Sequence, residues 1–144
     1  MLPKLYIKNS LTDQKGNGNG KRRILAVDDE PDMTTILKMA LERVGFSIDI
    51  FNDPVMALES YKPNQYDLVI LDVKMQKMNG FELYNRLKKM DPGINVCFLT
   101  ASTDVYREKL MKETHCELSK DLFMDMPLRL KEIVDEVTKR MRSS

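Results

Sequence analysis

Residues 67–72 read DLVILD, four consecutive apolar side chains closed at each end by an aspartate. A strand that is apolar at successive positions is buried on both faces, the situation of a central strand in a parallel sheet covered by helices on either side. RILAV at 23–27 and NVCFLTA at 95–101 have the same character. FSIDIF at 46–51 is a shorter alternating strand, and DLFM is a weak fifth one. Helical patterns fill the intervals. Met33, Ile36, Leu37, Ala40, Leu41 and Val44 recur at helical spacing between Pro31 and Gly45. Asp53-Pro54 opens a second helix that runs to about Tyr61, with proline at its first position. A third starts at Gly80 with Leu83, Leu87 and Met90 on one face, residues 103–114 form a polar helix with few apolar anchors, and the last helix carries Leu130, Ile133, Val134, Val137 and Met141. Five βα units without an internal repeat predict an α/β fold, a parallel sheet with helices on both faces. Right-handed crossovers put every strand's C-terminal end on one edge, where ligands bind in such sheets.

The chain's 144 residues suit one domain with a core large enough to need no staples. Lys plus Arg number 23 and Asp plus Glu 22, so no basic field argues for direct contact with nucleic acid. Two cysteines without CxxC spacing and a single histidine exclude a Cys/His zinc site, and Cys97 reads as a small core residue. No run approaches the roughly 20 apolar residues of a membrane span, and the N-terminus lacks a signal peptide's apolar region, which places the protein in the cytoplasm and off the membrane. Residues 1–22, with GNGNG at 16–20 between basic residues, read as a flexible extension ahead of a domain at 23–142.

The strand ends carry the chemistry. Strand one ends at Asp28 and Asp29, strand three at Asp72, strand four at Thr100, and strand five at Asp125, Met126 and Pro127. Two carboxylates about 4 Å apart repel by roughly 4 kcal/mol at an effective dielectric near 20, so three together call for a counter-charge or a shared proton. An all-oxygen donor set suits a hard cation, Mg²⁺ before others. Helix capping by Asp28 and Glu30 accounts for one acid or two, but not for Asp72 at the end of the most apolar strand. Mg²⁺ beside a carboxylate and a hydroxyl suits phosphoryl chemistry, with Asp72 as nucleophile, Asp28 and Asp29 holding the metal, and the Thr100 hydroxyl donating to a phosphoryl oxygen. Thr100 alone reads equally well as a strand-end residue satisfying local backbone.

With these residues in place, the chain resembles the receiver domain of two-component response regulators over about residues 23–140. VDDEPD resembles the family's acidic pair, LVILDVKMQKMNGFEL the segment around the phospho-accepting aspartate with Gly80, and FLTA the strand-four end with its switch hydroxyl. The resemblance implies a doubly wound, flavodoxin-like sheet of order 2-1-3-4-5 flanked by five helices. It implies phosphorylation of Asp72 by a histidine kinase or histidine phosphotransfer protein. Mg²⁺ would be held by Asp28, Asp29, Asp72 and the Lys74 backbone carbonyl, with Phe123 as switch aromatic.

Two departures stand out. Gln76 follows Met75 where the family usually has proline. Met126 precedes Pro127 where the family has a lysine that reaches the phosphoryl oxygens, although the Met126-Pro127 bond fits the family's cis peptide. A thioether carries no charge and donates no hydrogen bond, so the Asp72 carboxyl is expected to hold its proton more tightly and dependence on Mg²⁺ to grow. Lys74, Lys77 and Lys120 are the candidate replacements: Lys74 is nearest in sequence but also reads as a solvated loop lysine, and aligning Lys120 with the family lysine costs the Pro127 match.

The expected function is a phospho-accepting receiver, not an enzyme. The chain's stop at KRMRSS leaves no space for an output domain, so output is expected through a protein contact at the face of helix 103–114, strand five and the last helix. The alternatives are an interaction module that does not switch on phosphate, supported by Met126, and a Mg²⁺-dependent phosphohydrolase, which needs Asp125 as general acid although its position points it away from Asp72.

Overall fold

The computed structural model describes residues 20–143, and the expectation for residues 1–22 falls almost wholly outside them. Five parallel strands, β1 (Arg23–Val27), β2 (Ser47–Phe51), β3 (Leu68–Leu71), β4 (Val96–Thr100) and β5 (Phe123–Asp125), pair in the order β2-β1-β3-β4-β5. Helices α1 (Pro31–Arg43), α2 (Pro54–Ser60), α3 (Gly80–Met90), α4 (Asp104–Glu113) and α5 (Leu130–Ser143) connect and flank them. The fold class and strand order are those expected from the sequence.

The two-residue period of the strands divides the core. Leu25, Val27, Val69, Leu71, Val96 and Phe98 face a layer built on Ala57 of α2 and on Phe81, Leu83, Tyr84 and Leu87 of α3. Ile24, Ala26, Ile48, Leu68, Ile70, Cys97 and Leu99 face Leu37 and Leu41 of α1 and Ile133, Val137 and Met141 of α5. The helical faces are narrower than the sequence pattern suggested. Ile36 of α1, Val44 just past its end, Met90 of α3 and Leu130 of α5 are exposed, whereas Thr34 is fully buried. A helix on a sheet covers it with about one stripe, so positions at the stripe's edge or in a last turn overhang it.

Local chemistry sets the helix starts. Asp53 accepts from the Val55 N–H at 2.8 Å ahead of Pro54. Asn79 and Glu82 form a reciprocal capping box at α3. The sheet bonds continue one residue past the strands: Asp28 N–H donates to the Phe51 carbonyl, Asp72 N–H to that of Val27, and Met126 N–H to that of Thr100. Each extra bond fixes a residue at the C-terminal edge.

The start of α3 packs directly on the Asp72 backbone. Gly80 donates its N–H to the Val73 carbonyl at 2.8 Å, and a Cβ at Gly80 would lie 2.2 Å from the Asp72 carbonyl oxygen. Gly80→Ala is expected to cost about 2–4 kcal/mol in urea unfolding, because backbone lies on both sides of the clash. A variant as stable as wild type would show that α3 slides freely off β3.

Candidate functional site

At the C-terminal edge of the sheet β1 and β3 are neighbours, with Val27 paired to Leu71, so the residues that follow them meet. One carboxylate oxygen from each of Asp28, Asp29 and Asp72 lies within 4.8 Å of the others. The side chains are held in different ways. Asp28 is buried, its Oδ1 accepts from the Glu30 N–H at 3.0 Å, and its carbonyl accepts from Asn52 Nδ2 at 2.8 Å. Asn52 also donates to the buried Thr34 hydroxyl at 2.9 Å, which ties the end of β2 to α1 and to the acidic loop. Asp29 Oδ2 accepts from the Gln76 N–H at 3.1 Å. Asp72 accepts from the backbone N–H groups of Lys74 and Val73.

The cluster is electrostatically costly. Burial pushes the Asp72 carboxyl up, and with the adjacent charge of Asp28 and the further one of Asp29 it reaches about 7, against the opposing backbone bonds. Asp28 is raised for the same first reason, burial, with the charges of Asp29 and Glu30 adding to it. These three acids offer hard oxygen donors only and lack a compensating cation among themselves, the chemistry that suits Mg²⁺.

The cluster opens into a cleft of about 700 Å³. Asp29, Glu30 and Asp72 line one wall, Lys74, Met75 and Gln76 the loop after β3, and Ala101, Ser102, Thr103 and Tyr106 the far side. It is open to solvent.

A family model for the response regulator receiver domain matches residues 24–135. The chain belongs to this family. It is 33% identical over 122 residues to the DNA-binding response regulator MtrA of Mycolicibacterium smegmatis, which covers 85% of this chain and 51% of that protein, so the chain spans about half the length of that relative. Among solved structures, the non-phosphorylated HemR receiver domain of Leptospira biflexa superposes with a TM-score of 0.71 at 28% identity, covering 84% of this chain and 94% of that one. The response regulator TrrA of Thermotoga maritima, solved with Mg²⁺-BeF, gives 0.65 at 30% identity, covering 83% and 98%.

Thr100 is buried, and its hydroxyl both accepts from the Ser102 N–H and bonds the Ser102 hydroxyl, each at 2.9 Å. Ser102, not Thr100, lines the cleft. Phe123 stacks on Phe98 at 5.2 Å and meets Phe81 edge-on at 6.0 Å. Met126 is half-buried against the α1/α5 half of the core, and its bond to Pro127 is cis. Asp125 is turned outward and accepts from Arg107.

Three residues that sequence reasoning did not name also shape the receiver's site: Asn52, Ser102 and Tyr106. Asn52 follows an edge strand and Ser102 sits two residues past Thr100, so both become legible only once the strand ends are aligned.

The raised Asp72 carboxyl has a stability consequence. In the unfolded chain the group ionises near 3.8, in the folded chain near 7. Between these values the folded state binds the extra proton, so this group's contribution falls as pH rises through the window, and its full cost is present above 7. Metal-free Asp72→Asn is therefore expected to be more stable than wild type at pH 8, by about 1–2 kcal/mol after discounting for partial exposure. The gap should close towards pH 4. Urea unfolding at a series of pH values checks it, and equal stabilities at pH 8 would rule the repulsion out.

Proposed function

We propose that this receiver accepts a phosphoryl group on Asp72, with Mg²⁺, from a histidine kinase or histidine phosphotransfer protein. The observation that carries the reading is the meeting of Asp28, Asp29 and Asp72 at the mouth of an open cleft. An Asp72 oxygen attacks phosphorus, the new O–P bond forms as the donor's N–P bond breaks, and the electron pair leaves on the donor imidazole. When bound, Mg²⁺ supplies positive charge to the phosphoryl oxygens and the carboxylates. Asp28, Asp29, Asp72 and the Lys74 carbonyl are the residues that would hold it. The backbone N–H groups of Val73 and Lys74 orient the Asp72 carboxylate. Thr100 and Phe123 are the switch residues in this reading, with the Thr100 hydroxyl leaving Ser102 to reach a phosphoryl oxygen.

Receiver domains are signalling modules, and output here is assigned to a protein partner at the face of α4, β5 and α5. The DNA-binding role in MtrA's name belongs to that relative. Among the described residues no helix is long and apolar enough to cross a membrane. Both cysteines are free and buried, which suits a reducing cytoplasm. The outward Asp125, engaged by Arg107, speaks against a phosphohydrolase with Asp125 as its acid. A second reading, a module that does not switch on phosphate, is favoured by Met126, whose thioether packs into the core with neither charge nor donor.

The test is intact mass after incubation with acetyl phosphate. The expected outcome is one phosphoryl adduct, dependent on Mg²⁺ and absent from Asp72→Ala. No adduct from acetyl phosphate or from a histidine donor would overturn the phospho-acceptor and leave the second reading.

A further inference from the structure

A phosphoryl group on Asp72 would add negative charge beside Asp28 and Asp29, and a single divalent ion does not neutralise such a set. Lys77 leaves the loop after β3 but is committed elsewhere, with its Nζ 2.6 Å from Asp53. The buried Arg107 guanidinium is taken up by Asp104 and Asp125 and lies over the Phe123 ring. Lys74 differs from both. Among the described residues it is the one basic side chain that lines the cleft, and its backbone N–H already bonds the Asp72 carboxylate. Its Nζ lies 5.7 Å from the centre of the Tyr106 ring on α4, across the same cleft.

We propose that the Lys74 ammonium, held in reserve over the Tyr106 ring, is the side-chain cation that contacts a phosphoryl group on Asp72. The inference rests on the phospho-acceptor reading above. An exposed ammonium gains little from an aromatic face and more from a charge-assisted hydrogen bond to an anionic oxygen. The four-carbon stem supplies the reach, and among the described residues Lys74 has no ion pair to break for the move. When the ammonium turns to the phosphoryl group, it leaves the Tyr106 ring of α4. Lys74 thus links the charge state of Asp72 to the helix whose sole buried side chain is Arg107.

The test uses the full 144-residue chain with Mg²⁺ and trifluoroberyllate, a tetrahedral stand-in for the phosphoryl group, titrated by calorimetry at saturating Mg²⁺. Lys74→Ala is expected to weaken trifluoroberyllate binding about tenfold, while affinity for Mg²⁺ alone stays equal or rises because a positive charge is gone. Lys74→Arg should recover most of the loss, Lys77→Ala should bind as wild type does, and Tyr106→Leu should bind equally or more tightly because it frees the ammonium. Wild-type affinity in Lys74→Ala would overturn the assignment while leaving the phospho-acceptor intact. A loss in Tyr106→Leu as large as in Lys74→Ala would overturn it too, since the ring and not the amine would then matter. If wild type itself binds Mg²⁺ but no trifluoroberyllate, the phospho-acceptor reading fails and this inference with it.

Discussion

Parallel pairing of β1 with β3 brings Asp28 and Asp72 together, and most of the molecule's chemistry follows from that one adjacency. Both strands are buried on both faces, so neither can slip by a residue without moving its whole apolar set. The register Val27–Leu71 is therefore rigid, and the acids one residue beyond it have no freedom to separate. Their repulsion appears as a raised Asp72 carboxyl. Burial of the strands thus stabilises an arrangement of charges that would not form on its own.

Around that fixed point the structure is graded in firmness. α3 is locked by its capping box and by the close seat of Gly80 on the Asp72 carbonyl. α4 is anchored differently. Arg107 is its buried residue, clasped by Asp104 and Asp125 and lying on the ring of Phe123, while Val105 and Tyr106 stay exposed. An element held by one guanidinium and few apolar contacts is easier to displace than one held by a stripe of leucines. Phe123 stacks on Phe98 of β4, two residues before Thr100, so the anchor of α4 reaches the strand that carries the buried hydroxyl. The loops beside Asp72 thus hold two local contacts, Ser102 with Thr100 at the end of β4 and Lys74 with Tyr106 of α4.

The sequence was most legible where one residue's environment is set by its neighbours in the chain. The strand and helix positions, the Asp53-Pro54 start and the core role of Cys97 all follow from short-range pattern. The buried face of each helix is narrower than its apolar pattern. Ile36 and Val44 continue the α1 pattern but hang beyond the sheet, whereas the polar Thr34 is buried because Asn52 and the Pro31 carbonyl satisfy its hydroxyl. Thr100 was placed correctly at a strand end, yet its bonds to Ser102 depend on the loop's path, which periodicity does not encode.

What the sequence determined by itself was the alternation of buried strands and helices, and with it a parallel sheet whose C-terminal edge collects Asp28, Asp29, Asp72 and Thr100. That follows because burial is a property of the local pattern and crossover handedness is common to all L-chains. What only the tertiary structure decided was how these groups meet: the separation of the three acids, the rise of Asp72 that burial and Asp28 impose, the parking of Lys74 on Tyr106 and the capture of Asp125 by Arg107. Such contacts join residues far apart in the chain, and their strength depends on distance and on excluded water, neither of which exists until the sheet has formed.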